Sequence, residues 1–178
     1  MNDMSNELYH NRKVSRAQWH DYMGGLYFIT ICTSRKRHFF GEISKGVMNL
    51  NILGDYCHQL LIDLPGHYSN VLVPLFVVMP NHVHFIVEIC SKHHSVCEPI
   101  VASVPQRSAL SIFVGGFKRE VTYFAHQHDI EFGWQGRFYD HIIRGVEDGN
   151  NISDYITNNV ARWDSDCFNS FENSSAHL

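Results

Sequence analysis

Apolar and polar residues alternate through the middle of the chain, over residues 79–89. A period of two predicts a β-strand with one apolar face, and it places His82 and His84 together on the opposite face. Pro80-Asn81 predicts a sharp turn at the entry to this strand. The strongly apolar stretch 71–79 predicts a second strand, which we expect to pair with the first in antiparallel fashion.

The other hydrophobic patterns predict, in chain order, a central strand over 26–34, a hairpin over 39–50, a helix capped by Asn51 and stopped by Pro65-Gly66, a long helix over 108–128, and a short edge strand near 138–143. The core face of the first helix is predicted at Leu53, Tyr56, Leu60 and Leu64. The long helix contains Gly115-Gly116, which costs about 1 kcal/mol per glycine, and close packing against the sheet or against a DNA backbone would account for it. This order of elements predicts an α+β fold, an antiparallel sheet with helices mainly on one face.

A last helix is predicted around residues 152–163, with a buried apolar stripe at Ile152, Ile156, Val160 and Trp163. Tyr155, Asn159 and Arg162 lie in a neighbouring row of the same predicted helix. Such a row can present a phenol, a carboxamide oxygen and a cation to one site. The alternative is that Tyr155 covers the edge of the core and that Asn159 is solvated.

Two imidazoles at positions i and i+2 of a rigid strand can bind one divalent metal ion, which makes His82 and His84 candidate ligands. The chain has 13 histidines, so two ordinary surface histidines are the alternative. His141 is open to three interpretations: a third neighbour of the metal, a phosphate contact, or a structural histidine paired with Asp140. We expect no metal site at 93–94, because adjacent histidines in a loop lack a common direction.

Composition fits one domain of 178 residues with 44% hydrophobic content, and no apolar run is long enough to predict a membrane span. The N-terminus does not resemble a signal peptide, and five scattered cysteines predict a reducing, cytoplasmic location without a disulfide framework. The net charge of −4 argues mildly against DNA binding, although residues 1–50 carry an excess of basic residues. Residues 1–24 are predicted to be either a flexible tail or a basic arm along DNA. Residues 164–178 are predicted to be a polar, frayed tail.

Six basic residues are candidate phosphate contacts. The densest positive run follows the predicted central strand, and single basic residues occur in the long helix and around the edge strand. The six are Arg35, Lys36, Arg37, Lys118, Arg137 and Arg144.

Several of these stretches together resemble the single-tyrosine HUH transposases, in particular the branch related to REP-associated tyrosine transposases. The resemblance covers about residues 25–163, in the order that the family has. The matching stretches are 27–33, 39–43, 77–84, 116–118, 134–144 and 154–159. The family usually has proline at the position of Val160, so the end of the tyrosine helix is a point of departure.

The resemblance implies a ferredoxin-like core and a metal-dependent enzyme that cleaves and rejoins single-stranded DNA, usually DNA with a hairpin, through a 5′-phosphotyrosine intermediate. By the same resemblance Tyr155 is the nucleophile, and His82, His84 and Asn159 hold Mg²⁺ or Mn²⁺. The protein is expected to act as a monomer or a homodimer, without a membrane.

Two alternatives stay open at this stage: a DNA-binding regulator without catalysis, and a zinc-dependent hydrolase in which Tyr155 is structural. The nuclease hypothesis requires that Tyr155 lies near the two imidazoles and that a phosphate can reach them.

Overall fold

The computed structural model describes residues 24–90 and 108–169. Its strands are β1 (Gly25–Cys32), β2 (Gly41–Ser44), β3 (Val47–Leu50), β4 (Val71–Met79), β5 (His82–Ile89) and β6 (Tyr139–Ile142). Its helices are α1 (Ile52–Asp63), α2 (Ala109–Gln127) and α3 (Gly145–Thr157), with 3₁₀ turns at Ser34–Lys36, Leu64–His67 and Val160–Ser165. The predicted arm at 1–24, apart from Gly24, the loop with His93-His94 and the tail beyond residue 169 lie outside the described residues.

Four strands form one sheet in the order β4-β5-β1-β6, and β2 and β3 form a separate hairpin. Every neighbouring pair in the main sheet is antiparallel. Leaving the hairpin aside, the chain runs β-α-β-β-α-β, the ferredoxin-like sequence of elements. The predicted α+β class with an antiparallel sheet is confirmed. Pro74 lies in β4, an edge strand, where a missing backbone donor is tolerated.

The main core lies on one face of the sheet, under α1 and α2. It contains the alternate residues of β1 and β5, such as Ile29 and Phe85, together with Leu53 and Phe117 from the two helices. Helix α3 packs on the other face, where Ile152 and Ile156 contact Phe28 and Ile86. Two of the three helices therefore share one face, and the third covers the face that carries the histidines.

Local sequence signals explain where the first two helices begin. The side chain of Asn51 accepts hydrogen bonds from the backbone of Leu53 and Gly54, and Ser108 accepts one from Ser111. In α2, a Cβ added at Gly116 would lie 2.5 Å from the hydroxyl of Tyr68, whereas Gly115 faces open space. Close packing therefore accounts for Gly116 but not for Gly115.

The end of the chain differs from the sequence prediction in two ways. Helix α3 ends at Thr157, because Asn158 leaves helical geometry and its side chain donates to the carbonyl of Asp154. Residues 164–169 are not frayed: a 3₁₀ turn continues to Ser165, and Phe168 is buried.

The cysteines at 32, 57, 90 and 167 are free thiols in the structure. Among the described residues, no helix is long and apolar enough to cross a membrane.

Candidate active site

Strand β5 places His82 and His84 side by side on the sheet face that α3 covers. Their ring centroids are 4.4 Å apart, and each residue has 0% of its surface exposed. In the register of the sheet, His82 lies opposite Cys32 and His84 opposite Thr30. His82 and His84 therefore share one sheet face, as the alternation along the strand predicts. That face is closed by other parts of the protein and is not an open surface.

Helix α3 brings Tyr155 to this histidine pair. The phenol oxygen of Tyr155 lies 3.4 Å from Nε2 of His84, which is a long hydrogen bond, and the two ring centroids are 5.2 Å apart. Phe28 lies against both rings, stacked on His84 at 5.2 Å and edge-on to Tyr155 at 6.0 Å. This packing fixes the nucleophile candidate beside one imidazole within a single chain.

Asn159 reaches the same site from the turn after α3. The sequence pattern predicted that Asn159 and Tyr155 share one helix. In the structure they do not, because α3 ends at Thr157. Its side chain is buried, and its Nδ2 lies 3.4 Å from a carboxylate oxygen of Asp166. That contact directs the amide nitrogen to Asp166 and leaves Oδ1 for the histidine side.

Two buried side-chain atoms at this site, Nε2 of His82 and Oδ1 of Asn159, make no hydrogen bond of ordinary geometry among the described residues, although Asn159 is close enough to act against the lowering of the His82 pKa. Buried polar atoms in folded proteins are almost always paired, so a pair of orphaned acceptors indicates a missing donor or cation. Two imidazoles and an amide oxygen suit a borderline divalent ion. The described residues contain no group of three His, Cys, Asp or Glu side chains arranged for a metal, so a metal here depends on Asn159.

Burial keeps both histidines neutral at physiological pH. It lowers the pKa of His84 to about 3. Burial and, after it, the neighbouring His84 lower the pKa of His82 well below its ordinary value. A neutral imidazole is the form that binds a metal ion, so this environment favours metal binding.

A short segment from the C-terminal end lies over the histidines, and we call residues 166–168 the cover segment. The ring of Phe168 lies 4.4 Å from that of His82 and 6.1 Å from that of His84. Lys36 donates to the carbonyl of Cys167 at 3.2 Å and lies 4.6 Å above the Phe168 ring. In this arrangement a phosphate does not reach the imidazoles, although the nuclease hypothesis requires that it can.

The predicted phosphate contacts lie in different surroundings. Lys36 borders the site, and Arg35 and Lys36 both adopt left-handed backbone angles with φ of 54°. This conformation costs energy in non-glycine residues and clusters at functional sites.

Arg37 forms an exposed ion pair with Glu131. Lys118 donates to the carbonyl of Gln135 at 2.7 Å and lines a shallow cleft of about 400 Å³ that is separate from His82 and His84. Arg137 and Arg144 are exposed.

His141 pairs with Asp148 at 3.0 Å, not with Asp140 as the structural interpretation had it. This pair ties β6 to the first turn of α3. In the sheet register His141 lies opposite Phe28, whereas Tyr139 lies opposite Thr30, the residue beside His84.

Four residues that contact the site were not singled out from the sequence. Thr30 lies 2.8 Å from Nδ1 of His84, and Asn81, seen only as a turn residue, lies 2.8 Å from Nδ1 of His82. The alternation in 26–34 puts Thr30 on the histidine face and could have identified it. Asp166 and Phe168 follow the last predicted helix, and no periodic pattern marks them.

Comparison with solved structures supports the fold. The chain is similar to a REP-associated tyrosine transposase bound to a REP hairpin, with a TM-score of 0.58 and 18% identity over 84% of this chain and 74% of that chain. A candidate transposase from Deinococcus radiodurans R1 has a TM-score of 0.44 and 15% identity, over 82% of this chain and 97% of that chain. The chain thus has a transposase-like α+β fold.

The amino-acid sequence places the protein more directly. No family model matches the chain. It is 36% identical to an uncharacterized protein of Haemophilus influenzae over 166 residues. This match covers 88% of this chain and 92% of that protein. The chain belongs to the same protein family as this Haemophilus protein.

Proposed function

We propose that the protein is a single-tyrosine HUH transposase that cleaves and rejoins single-stranded DNA through a 5′-phosphotyrosine intermediate. The observation that carries this proposal is the position of the Tyr155 hydroxyl, 3.4 Å from Nε2 of His84 and on the same sheet face as His82. The transposase-like fold supports it. One chain supplies both Tyr155 and the histidines, so in this proposal the nucleophile and the metal-binding residues come from a single copy.

The residues that would hold a metal ion are His82, His84 and Asn159. Their neutral rings and the orphaned acceptors Nε2 of His82 and Oδ1 of Asn159 fit a cation. A divalent ion, Mg²⁺ or Mn²⁺, supplies when bound a Lewis acid that polarises a phosphate oxygen and stabilises the charge that develops on it. Since these three residues contribute no negative charge, we expect weak binding of Mg²⁺ until a DNA phosphate joins the site.

Tyr155 is the nucleophile in this proposal. Its phenol oxygen forms a bond to phosphorus while the bond from phosphorus to the 3′ oxygen breaks. The phenol proton is lost to water, and the 3′ oxygen takes up a proton from water, so that the departing strand ends in a 3′ hydroxyl. The energy of the broken phosphodiester is kept in the new one, so a later attack by a 3′ hydroxyl rejoins the strand without a nucleotide cofactor.

A DNA hairpin with a single-stranded flank is the proposed partner, by analogy with the REP hairpin that the structural neighbour binds. Arg35, Arg137 and Arg144 are exposed and are the proposed contacts for its phosphates. The cover segment has to move before a phosphate meets His82 and His84. The outer contact of this segment, from Lys36 to the carbonyl of Cys167, is exposed, whereas Phe168 is buried against His82 and its carbonyl accepts from Asn81, so the movement has to break buried contacts as well.

The proposal is tested with an end-labelled hairpin oligonucleotide, Mn²⁺ and a denaturing gel. We expect a covalent protein–DNA band with the unmodified protein and none with Tyr155→Phe. Tyr123→Phe is the matched control, because Tyr123 is 60% exposed on α2, and it is expected to keep the band. Binding without any band would favour the regulator, and zinc-dependent cleavage that survives Tyr155→Phe would favour the hydrolase.

A further inference from the structure

Asn81 is completely buried in the turn between β4 and β5, and its side-chain orientation is fixed by two backbone carbonyls. Nδ2 donates to the carbonyl of Lys36 at 3.1 Å and to that of Phe168 at 2.9 Å. A carbonyl can only accept a hydrogen bond, so the amide nitrogen has to face these two groups. The amide oxygen is therefore directed to the remaining side.

That remaining side is His82. Oδ1 of Asn81 lies 2.8 Å from Nδ1 of His82. A carboxamide oxygen has no proton to donate, so Nδ1 of the neutral ring carries the hydrogen and Nε2 carries a lone pair. This Nε2 is one of the two orphaned acceptors, and Asp166 fixes the other, Oδ1 of Asn159, in a similar way.

We propose that Asn81 is a positioning residue that selects the Nδ1–H tautomer of His82 and so presents its Nε2 lone pair to a divalent cation. The cation part of this inference rests on the proposed function, whereas the tautomer part does not. A hydrogen-bond partner on the outer ring nitrogen fixes both the tautomer and the ring orientation of a metal-binding histidine. Thr30 does not fix the tautomer of His84 equally, because a hydroxyl can either donate or accept.

The tautomer is read by long-range ¹H–¹⁵N correlation spectra of the metal-free protein, labelled on histidine and assigned with His82→Gln, at pH 7.5. We expect the Nδ1–H form for His82 in the unmodified protein. Asn81→Leu removes the acceptor and is expected to shift the ring toward the Nε2–H form. Asn81→Asp keeps an oxygen acceptor and is expected to keep the Nδ1–H form, although it loses both donors to the backbone. Asn49→Leu, at an exposed asparagine of the β2–β3 hairpin, is the matched control and is expected to change nothing.

Metal affinity is measured on the same proteins by Zn²⁺ calorimetry, with Zn²⁺ as a tighter-binding probe for Mg²⁺ or Mn²⁺. The part of the binding heat that the unmodified protein shows and His82→Gln does not show is assigned to this site. We expect Asn81→Leu to weaken this binding by about 10–100-fold and Asn81→Asp to preserve it, in line with other outer partners of metal-binding histidines.

The inference is overturned if folded Asn81→Leu keeps both the Nδ1–H tautomer and the unmodified affinity. If Asn81→Leu does not fold, the Asp variant decides, and an Nε2–H ring in that variant overturns the inference. An Nε2–H ring in the unmodified protein also overturns it, even where Zn²⁺ binds. An unmodified protein with the Nδ1–H ring and no Zn²⁺ binding supports the tautomer assignment and contradicts the metal site of the proposed function.

Discussion

Acidification destabilises the metal-free protein because both site histidines are buried as neutral rings. The pKa of His84 is lowered to about 3, and that of His82 is lowered well below its ordinary value. An unfolded histidine has a pKa of about 6.5. Between pH 6.5 and 3 the unfolded chain therefore binds more protons than the folded one, and the free energy of unfolding falls as the pH falls.

The size of this loss follows from the pKa of about 3 for His84 and from the lowered pKa of His82. While its folded ring stays neutral, each histidine lowers the free energy of unfolding by about 1 kcal/mol for each pH unit below 6.5. From pH 7.5 to pH 5.5 the two histidines together lower the free energy of unfolding by about 2–3 kcal/mol. Carboxylates titrate mainly below this window. Burial raises the pKa of Asp166, so this group acts in the opposite direction to the two histidines.

Urea denaturation in EDTA at pH 7.5, 6.5 and 5.5 measures the effect. We expect His84→Gln to remove about half of the pH dependence, whatever it does to the stability at pH 7.5. His67→Gln, at an exposed position, is the matched control and is expected to keep the dependence of the unmodified protein. If the unmodified protein and His84→Gln show the same slope, His84 is not buried as a neutral ring and the closed site is wrong.

Four other substitutions test the packing around the site and the fold. Thr30→Val leaves Nδ1 of His84 without its partner at 2.8 Å, and we expect a loss of about 1–3 kcal/mol by urea denaturation, against little change for exposed Thr157→Val. Gly115→Ala is expected to stabilise α2 by about 1 kcal/mol in thermal denaturation, whereas Gly116→Ala gains less or loses stability because the new Cβ meets Tyr68; equal gains would contradict that contact. Phe168→Ala uncovers His82 and is expected to lower stability while increasing the covalent band on labelled hairpin DNA. Unchanged band intensity in the folded variant would show that the cover segment does not limit access.

Much of the sheet could be predicted from the sequence because its signals are local. The alternation in β5, the turn at Pro80-Asn81 and the Asn51 cap each depend on neighbouring residues, and each predicted element is present. Helix faces were less certain. In α1 the buried positions include Cys57 and Leu61 rather than the predicted Tyr56 and Leu60, because a helix of 12 residues has an apolar stripe wide enough for either choice.

The surroundings of the site could not be predicted because they depend on contacts between distant parts of the chain. The bond between Asn81 and the carbonyl of Phe168 spans 87 residues, and no periodic pattern signals it. The partner of His141 is a similar case, since Asp148 follows a turn whose direction is set by β6 packing beside β1. The candidate site residues were thus proposed from local pattern and from the family resemblance, whereas the residues that orient or cover them required the structure.

Identification of the residue that becomes attached to DNA tests the central claim most directly. The covalent product formed with hairpin DNA and Mn²⁺ is digested with nuclease and protease, and the modified peptide is sequenced by mass spectrometry. The account predicts a nucleotide phosphate on the peptide that contains Tyr155, at its phenol oxygen. A phosphate found on any other residue, or cleaved DNA with no protein adduct, would contradict it.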